Sequence, residues 1–238
     1  MTKRRPDYSG HVVHAMNRRV DRQTLFTCDS DYVEFRDLIG VARDMFDIQL
    51  LEWVLMPNHF HFLLHPETKN QLSDFMGWLC LTHAKNWRER TETVGEGALY
   101  QDRYKAFAVK TGRHLHRLRN YLAMNPVEAN LVRNPWEWKW GSAKRAKYQL
   151  LASDIKLSDG PEPHYGNLAE LLFTPWNETD EEKERLMESM NRETPFGDDL
   201  WRDAIIEDQG LQHTIRKVGR PKKGTTTITD DQLWILQE

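Results

Sequence analysis

Two histidines separated by one phenylalanine, His59-Phe60-His61, lie in the segment Met56-Pro-Asn-His-Phe-His-Phe-Leu-Leu64. In an extended chain, residues two apart project from the same face, about 6.6 Å apart along the strand. Two imidazoles so spaced can converge on one divalent cation, while Phe60 and Phe62 turn to the opposite face and a hydrophobic layer. The same pattern also describes two polar residues on the exposed face of a sheet. His65 is in phase with the pair but roughly 13 Å beyond His61, and reads as serving another purpose, such as capping the strand end. A second His-x-His, His114-Leu-His116, falls in a helical pattern. There the rings lie about 200° apart around the axis and cannot share a metal, so they read as surface or phosphate-contacting histidines.

The other chemistry-bearing stretch is Arg117-Leu-Arg119-Asn-Tyr121-Leu-Ala-Met-Asn125-Pro-Val. Tyr121 and Asn125 are four apart and share a helix face. A tyrosine with a neutral oxygen ligand one turn away could bring both groups to the same metal. A helical tyrosine is ordinarily a core residue, but Arg113, Arg117 and Arg119 are unusual company for a buried aromatic face.

The elements that must position these groups follow from periodicity. His11 to Met16 is a short extended segment. Asp29 or Ser30 is suited to cap a helix running through Met45, with Tyr32, Phe35, Leu38, Ile39, Ala42 and Phe46 at helical spacing. Ile48 to Met56 and His59 to His65 are strands joined by the Pro57-Asn58 turn. Gln71 to Arg90 is an amphipathic helix, and Tyr100 to Val109 a further strand. The order strand–helix–strand–strand–helix–strand predicts an α+β, ferredoxin-like (βαββαβ) antiparallel sheet, with both helices on one face and the other face free to carry a site. An added helix, Arg113 to Met124, ends at Asn125-Pro126, because proline lacks the interior donor and biases its predecessor away from helical geometry.

The chain has 238 residues and a net charge of −3, enough for one well-buried domain with appended elements. No run of about 18 apolar residues is present, and the charged start MTKRRPDYSG precedes no apolar leader segment. Cys28 and Cys80 lack metal-ligand spacing and read as two free buried thiols in a reducing cytoplasm. The charge is distributed unevenly: residues 101–148 are net +8 and residues 149–210 net −11. A polyanion would meet local basic patches, since salt screens the acidic stretch over roughly 8 Å. Residues 149–210 read as an acidic helical extension. Residues 211–238 form a basic tail and C-terminus containing Gly219-Arg-Pro-Lys-Lys223, with little means of packing a core.

Several of these segments together resemble the REP-associated tyrosine transposases, relatives of the small single-tyrosine insertion-sequence transposases within the HUH nucleases. The matching pieces are His14-Ala-Met-Asn-Arg18, Met56–Leu64, Tyr100-Gln-Asp-Arg-Tyr-Lys105, Tyr121-Leu-Ala-Met-Asn-Pro-Val-Glu-Ala129 and Trp140-Gly-Ser142, in family order over about residues 8–148. Thr194-Pro-Phe-Gly197 and Gly219–Lys223 resemble tail motifs of many members. Trp140-Gly-Ser142 departs from the more usual Trp-Ser-Ser and alters a structural turn.

The resemblance implies that residues 1–148 are a single-tyrosine nuclease domain whose added helix is the catalytic one. It implies that Tyr121 is the nucleophile, and that His59, His61 and Asn125 bind Mg²⁺ or Mn²⁺. The substrate it implies is single-stranded DNA beside a hairpin-forming palindromic repeat, cleaved through a 5′-phosphotyrosine link. Candidate DNA contacts are Arg4, Arg5, Arg18, Arg19, Arg103, Lys105, Arg113, Arg117, Arg119, Arg220, Lys222 and Lys223. A nucleoid-associated protein of the cytoplasm, monomeric or homodimeric, is expected. The alternative is a protein that binds the repeat hairpin without cutting. An RNA-binding sheet would want aromatic residues where this chain has histidines.

Overall fold

The computed structural model describes residues 5–146, 155–161 and 180–216. Four strands, β1 (Val12–Arg18), β2 (Gln49–Met56), β3 (His59–His65) and β4 (Lys105–Val109), form one sheet in the order β2-β3-β1-β4. Every neighbouring pair is antiparallel, which is the ferredoxin-like arrangement expected. Helices α1 (Asp29–Phe46) and α2 (Gln71–Arg90) are the crossovers. Period-two alternation divides the side chains. Val13, Ala15, Phe60, Phe62 and Leu64 join α1 and α2 in one core, with Phe35 and Phe60 rings 4.9 Å apart.

The opposite face is covered rather than open. Helix α3 (Arg113–Glu128) lies on it through Leu115, Leu118 and Leu122. Helix α4 (Asp180–Arg192), from the acidic stretch, adds Leu186 and Met190 to the same core, and Phe196 follows. The apolar positions of these amphipathic helices require such a partner, and the sheet face supplies it. Helix α5 (Asp199–Gln209) contributes Ile205 and Ile206 to the core of α1 and α2. No helix among the described residues is long and apolar enough to cross a membrane.

Both sheet edges are occupied, which removes the unpaired groups that would template association. Beside β4, the Phe196 N–H donates to the Ala108 carbonyl at 2.9 Å, and the Lys110 N–H to the Phe196 carbonyl at 2.8 Å. Beside β2, the Leu55 N–H donates to the Trp140 carbonyl and the Ser158 N–H to the Leu50 carbonyl, both at 2.8 Å. A Cβ on Gly141 would make ordinary 3.5 Å contacts, so the Trp-Gly-Ser turn leaves this edge intact.

Three local expectations differ. The cap of α1 is neither Asp29 nor Ser30: Cys28, exposed rather than buried, occupies the N-cap without a side-chain capping bond, its Sγ 2.9 Å from Ser30 Oγ, and the Asp31 carboxylate accepts from the Thr27 N–H and hydroxyl, both at 2.7 Å. Asp31 is buried and paired with Arg90 at 2.8 Å, so one carboxylate ends the helix and ties it to α2. The strand foreseen from Tyr100 begins only at Lys105. Tyr100 makes an isolated bridge to Arg19, and the Asn17 amide draws the intervening turn in through the Asp102 carbonyl at 3.4 Å. Finally, α3 continues through Pro126 to Glu128. The proline ring is buried in a crevice with Pro135 and Trp138, and packing there offsets the missing backbone donor.

Candidate active site

The pleat of β3 turns His59 and His61 away from Phe60 and Phe62, toward the face that α3 covers. Both are buried, at 3% and 2% exposure, and their ring centroids are 4.9 Å apart at 84°. On β1, Arg18 pairs with His59 and Met16 with His61. Their neighbour His14, at 0% exposure, reaches diagonally to His61, its Nε2 lying 2.8 Å from His61 Nδ1. Its other side rests on Phe107, with ring centroids 4.8 Å apart. His59 Nδ1 is hydrogen-bonded to Asn58 Oδ1; an amide oxygen only accepts, so Nδ1 carries the proton there.

Burial sets the protonation of this cluster. Desolvation pushes His59 and His14 well below the ordinary imidazole range, with like charge on His61 adding to it. Burial and then the Arg18 guanidinium push His61 down to about 3. All three rings are therefore neutral at pH 7, the state in which an imidazole nitrogen can ligate. His61 Nε2 is buried and has no hydrogen-bond partner among the described residues.

Helix α3 brings Tyr121 to this pair. Its half-buried ring meets His61 edge-on, with centroids 6.2 Å apart at 89°. One turn later Asn125 is buried, and its amide Nδ2 donates to the Tyr121 carbonyl at 2.9 Å. That bond orients the Asn125 side chain and leaves Oδ1 as the acceptor end. His59, His61, Tyr121 and Asn125 thus come from one strand and one helix packed on it. Among the described residues no three His, Cys, Asp or Glu side chains form a metal-binding group, so a cation here would rest on two imidazoles and a ligand of another type. His114, expected at the surface, is buried with its ring 5.2 Å from Phe196.

The cations expected at DNA are placed very differently from one another. Arg103 and Arg113 are exposed. Arg18 is buried beside the histidines. Arg119 is also buried, at 4% exposure, with Nε 3.8 Å from Glu52 Oε1, which takes it off the surface. Arg117 pairs with Glu182 of α4. Lys105 Nζ donates to the Asn191 carbonyl at 3.1 Å, and Arg5 lies over the Tyr104 ring and pairs with Glu193 at 3.6 Å. Arg19 lies 4.3 Å over the Trp87 ring. Arg4, Arg220, Lys222 and Lys223 lie outside the described residues.

Two buried groups were not singled out by sequence reasoning. His14 is in phase with Arg18 on the site face of β1, a period-two signal that could have marked it. Glu52 is a lone acid in an apolar strand, which signals a buried partner without naming it.

A solved chain described as the REP-associated tyrosine transposase bound to a REP hairpin is similar at 19% identity and TM-score 0.46, over 70% of this chain and 99% of that one. A putative transposase from Deinococcus radiodurans is similar at 15% identity and TM-score 0.35, over 51% of this chain and 95% of that one. A search of the curated proteins gives no match. The family described as "Transposase IS200 like" matches residues 7–125, half of the chain and all four residues of the candidate site. By that match this chain belongs to the IS200-like transposase family.

Proposed function

We propose that this transposase cleaves and rejoins single-stranded DNA beside hairpin-forming palindromic repeats, with Tyr121 as the nucleophile. The observation that carries the reading is the Tyr121 ring set edge-on against His61, 6.2 Å away, beside a pair of neutral imidazoles. The unpartnered, buried Nε2 of His61 and the oriented Oδ1 of Asn125 suit Mg²⁺ or Mn²⁺ held by His59, His61 and Asn125. Three neutral ligands leave the cation its full charge for an anionic substrate, and leave positions for phosphate oxygens and water. When bound, the cation polarises a phosphate oxygen and stabilises charge on the departing 3′-oxygen.

The Tyr121 oxygen forms a bond to phosphorus as the bond from phosphorus to the 3′-oxygen breaks. The products are a 5′-phosphotyrosine and a 3′-hydroxyl; the phenolic proton leaves Tyr121 and the departing oxygen takes one up. One phosphodiester replaces another, so a 3′-hydroxyl can reverse the step and join strands without a nucleotide cofactor. A free tyrosine titrates near 10, so attack requires a positive environment, and Arg18 beside both histidines supplies a fixed charge at the site. Arg103 and Arg113 offer exposed cations for the backbone, and Gly219–Lys223 resembles a minor-groove arm for the hairpin stem.

The test mixes the protein with a labelled hairpin carrying a native repeat, with Mg²⁺ or Mn²⁺, on a denaturing gel. The expected result is a protein–DNA adduct that requires metal and is lost in Tyr121→Phe. Tight hairpin binding without an adduct, across several native repeats, would overturn the cutting mechanism in favour of a protein that only binds the repeat.

A further inference from the structure

The two proposed imidazole ligands are oriented by different kinds of partner. Asn58 Oδ1 on His59 can only accept a hydrogen bond. His14 on His61 can accept or donate at Nε2, because a neutral imidazole has two tautomers. The 2.8 Å contact between His14 Nε2 and His61 Nδ1 therefore holds a single proton in one of two arrangements. If His61 Nδ1 carries it, His61 Nε2 keeps a lone pair and can ligate. If His14 Nε2 carries it, His61 must bear its own proton on Nε2, and that nitrogen cannot ligate. The atoms left over are the buried ones without partners, His14 Nδ1 and His61 Nε2.

We infer that His14 is a positioning residue: by accepting the His61 Nδ1–H it selects the tautomer of His61 that can bind the metal. The inference rests on the proposed metal site. It makes His14 a neutral acceptor with its own proton on Nδ1, enclosed by Phe107 and the His61 ring at centroid distances of 4.8 and 5.1 Å. A carbonyl or carboxylate in that place would accept unconditionally. A histidine accepts only in one of its tautomers, so metal occupancy and the tautomer of His14 are linked: each stabilises the other. Partners of this kind, which fix the tautomer of a ligating histidine, are worth roughly 10- to 100-fold in metal affinity.

The experiment titrates Mn²⁺ alone into the full chain and follows the free-ion EPR signal in wild type, His61→Ala, His14→Phe and His14→Gln. Phenylalanine matches the apolar walls but accepts nothing, whereas the glutamine Oε1 restores an acceptor. The expected result is loss of the site in His61→Ala, a rise in the Mn²⁺ dissociation constant of about 10- to 100-fold in His14→Phe, and recovery toward wild type in His14→Gln. If His61→Ala leaves binding unchanged, the metal site itself is wrong and the inference falls with it. If His61→Ala abolishes binding while His14→Phe does not weaken it, or His14→Gln is as weak as His14→Phe, only the role of His14 is overturned. Nitrogen-15 NMR of histidine-labelled wild type with saturating Mg²⁺ gives a readout independent of any variant. The shared proton is expected on His61 Nδ1, and its assignment to His14 Nε2 would refute the inference.

Discussion

The burial of Arg119 gives the most quantitative test of how the site helix is seated. Alternation along β2 puts Glu52 on the α3 face with Val54 and Met56, and the register irregularity between Leu50 and Glu52 adds Leu51 to that face. There the Glu52 carboxylate meets Arg119 Nε at 3.8 Å and accepts from the Ser142 hydroxyl. The exposures are 4% for Arg119 and 6% for Glu52, so neither charge has water to fall back on. Removing one partner leaves the other buried without this opposite charge, which costs about 3–5 kcal/mol in buried pairs, whereas apolar replacement of both is often neutral or stabilising. Arg119→Met should therefore remove a third or more of a total stability on the order of 10 kcal/mol. Glu52→Leu should be similarly severe, and the double variant should recover most of the loss. Ser142 keeps its bonds to Trp53 N–H at 3.0 Å and Trp53 carbonyl at 3.1 Å in all three, and its bond to Glu52 is lost in Glu52→Leu and the double variant alike, so that loss cancels in the cycle. Urea unfolding at pH 7 measures it. A loss under about 1 kcal/mol in Arg119→Met, the worth of an exposed pair, would refute the burial. Hairpin binding by the double variant should also keep the wild-type salt dependence. A log–log slope shallower by about 0.9 would place Arg119 on a phosphate, as its position among Arg113 and Arg117 suggests from sequence alone.

Burial holds His83 at about 3, below the roughly 6.5 of an unfolded chain. Its contribution is complete above pH 6.5 and falls as pH drops toward 3, by about 1.4 kcal/mol per pH unit once below 6.5, because only the unfolded chain takes up the proton. His83→Gln should lower the pH slope of urea stability by about one proton between pH 4 and 6; an unchanged slope would mean that His83 is not buried neutral. Gly197 has no room for a side chain, since an added Cβ would lie 2.3 Å from the Trp201 ring and 3.1 Å from Lys110. Gly197→Ala should cost about 1–3 kcal/mol by overpacking, measured by thermal melting, and an unchanged melt would contradict this seating of the strip beside β4. Deleting residues 217–238 spares the buried Leu211 and Thr214 and removes Lys217, Arg220, Lys222 and Lys223. If all four contact phosphates, the salt slope of hairpin binding should fall by about 3–4; an unchanged slope would take the tail out of the binding site.

What the sequence carried by itself was local and periodic. Alternation in Val12–Arg18 and His59–His65 assigns every side chain to one of two faces, because the pleat repeats every second residue. It separates His59 and His61 from Phe60 and Phe62 before any fold is known. Helical spacing likewise puts Tyr121 and Asn125 on one face and rules out His114 with His116 as a ligand pair. The element order then implies the sheet, since few un-knotted connections are available.

Tertiary structure decided which charges reach the surface. Glu52 and Arg119 stand 67 residues apart in the sequence, and Arg117 and Glu182 stand 65 apart; no periodicity reaches across such distances. Six arginines and lysines that look alike in the sequence divide by packing: Arg103 and Arg113 face solvent, Arg18 and Arg119 are buried, and Lys105 and Arg117 hold α4. The acidic stretch, a separate extension on charge alone, brings Leu186, Met190 and Phe196 to the site face, because an apolar sheet face and an apolar helix stripe exclude water only against each other. His14 shows the same division at a single residue. Its face was legible from period two, but its 2.8 Å contact with His61 exists only because antiparallel pairing sets β1 beside β3 in one particular register.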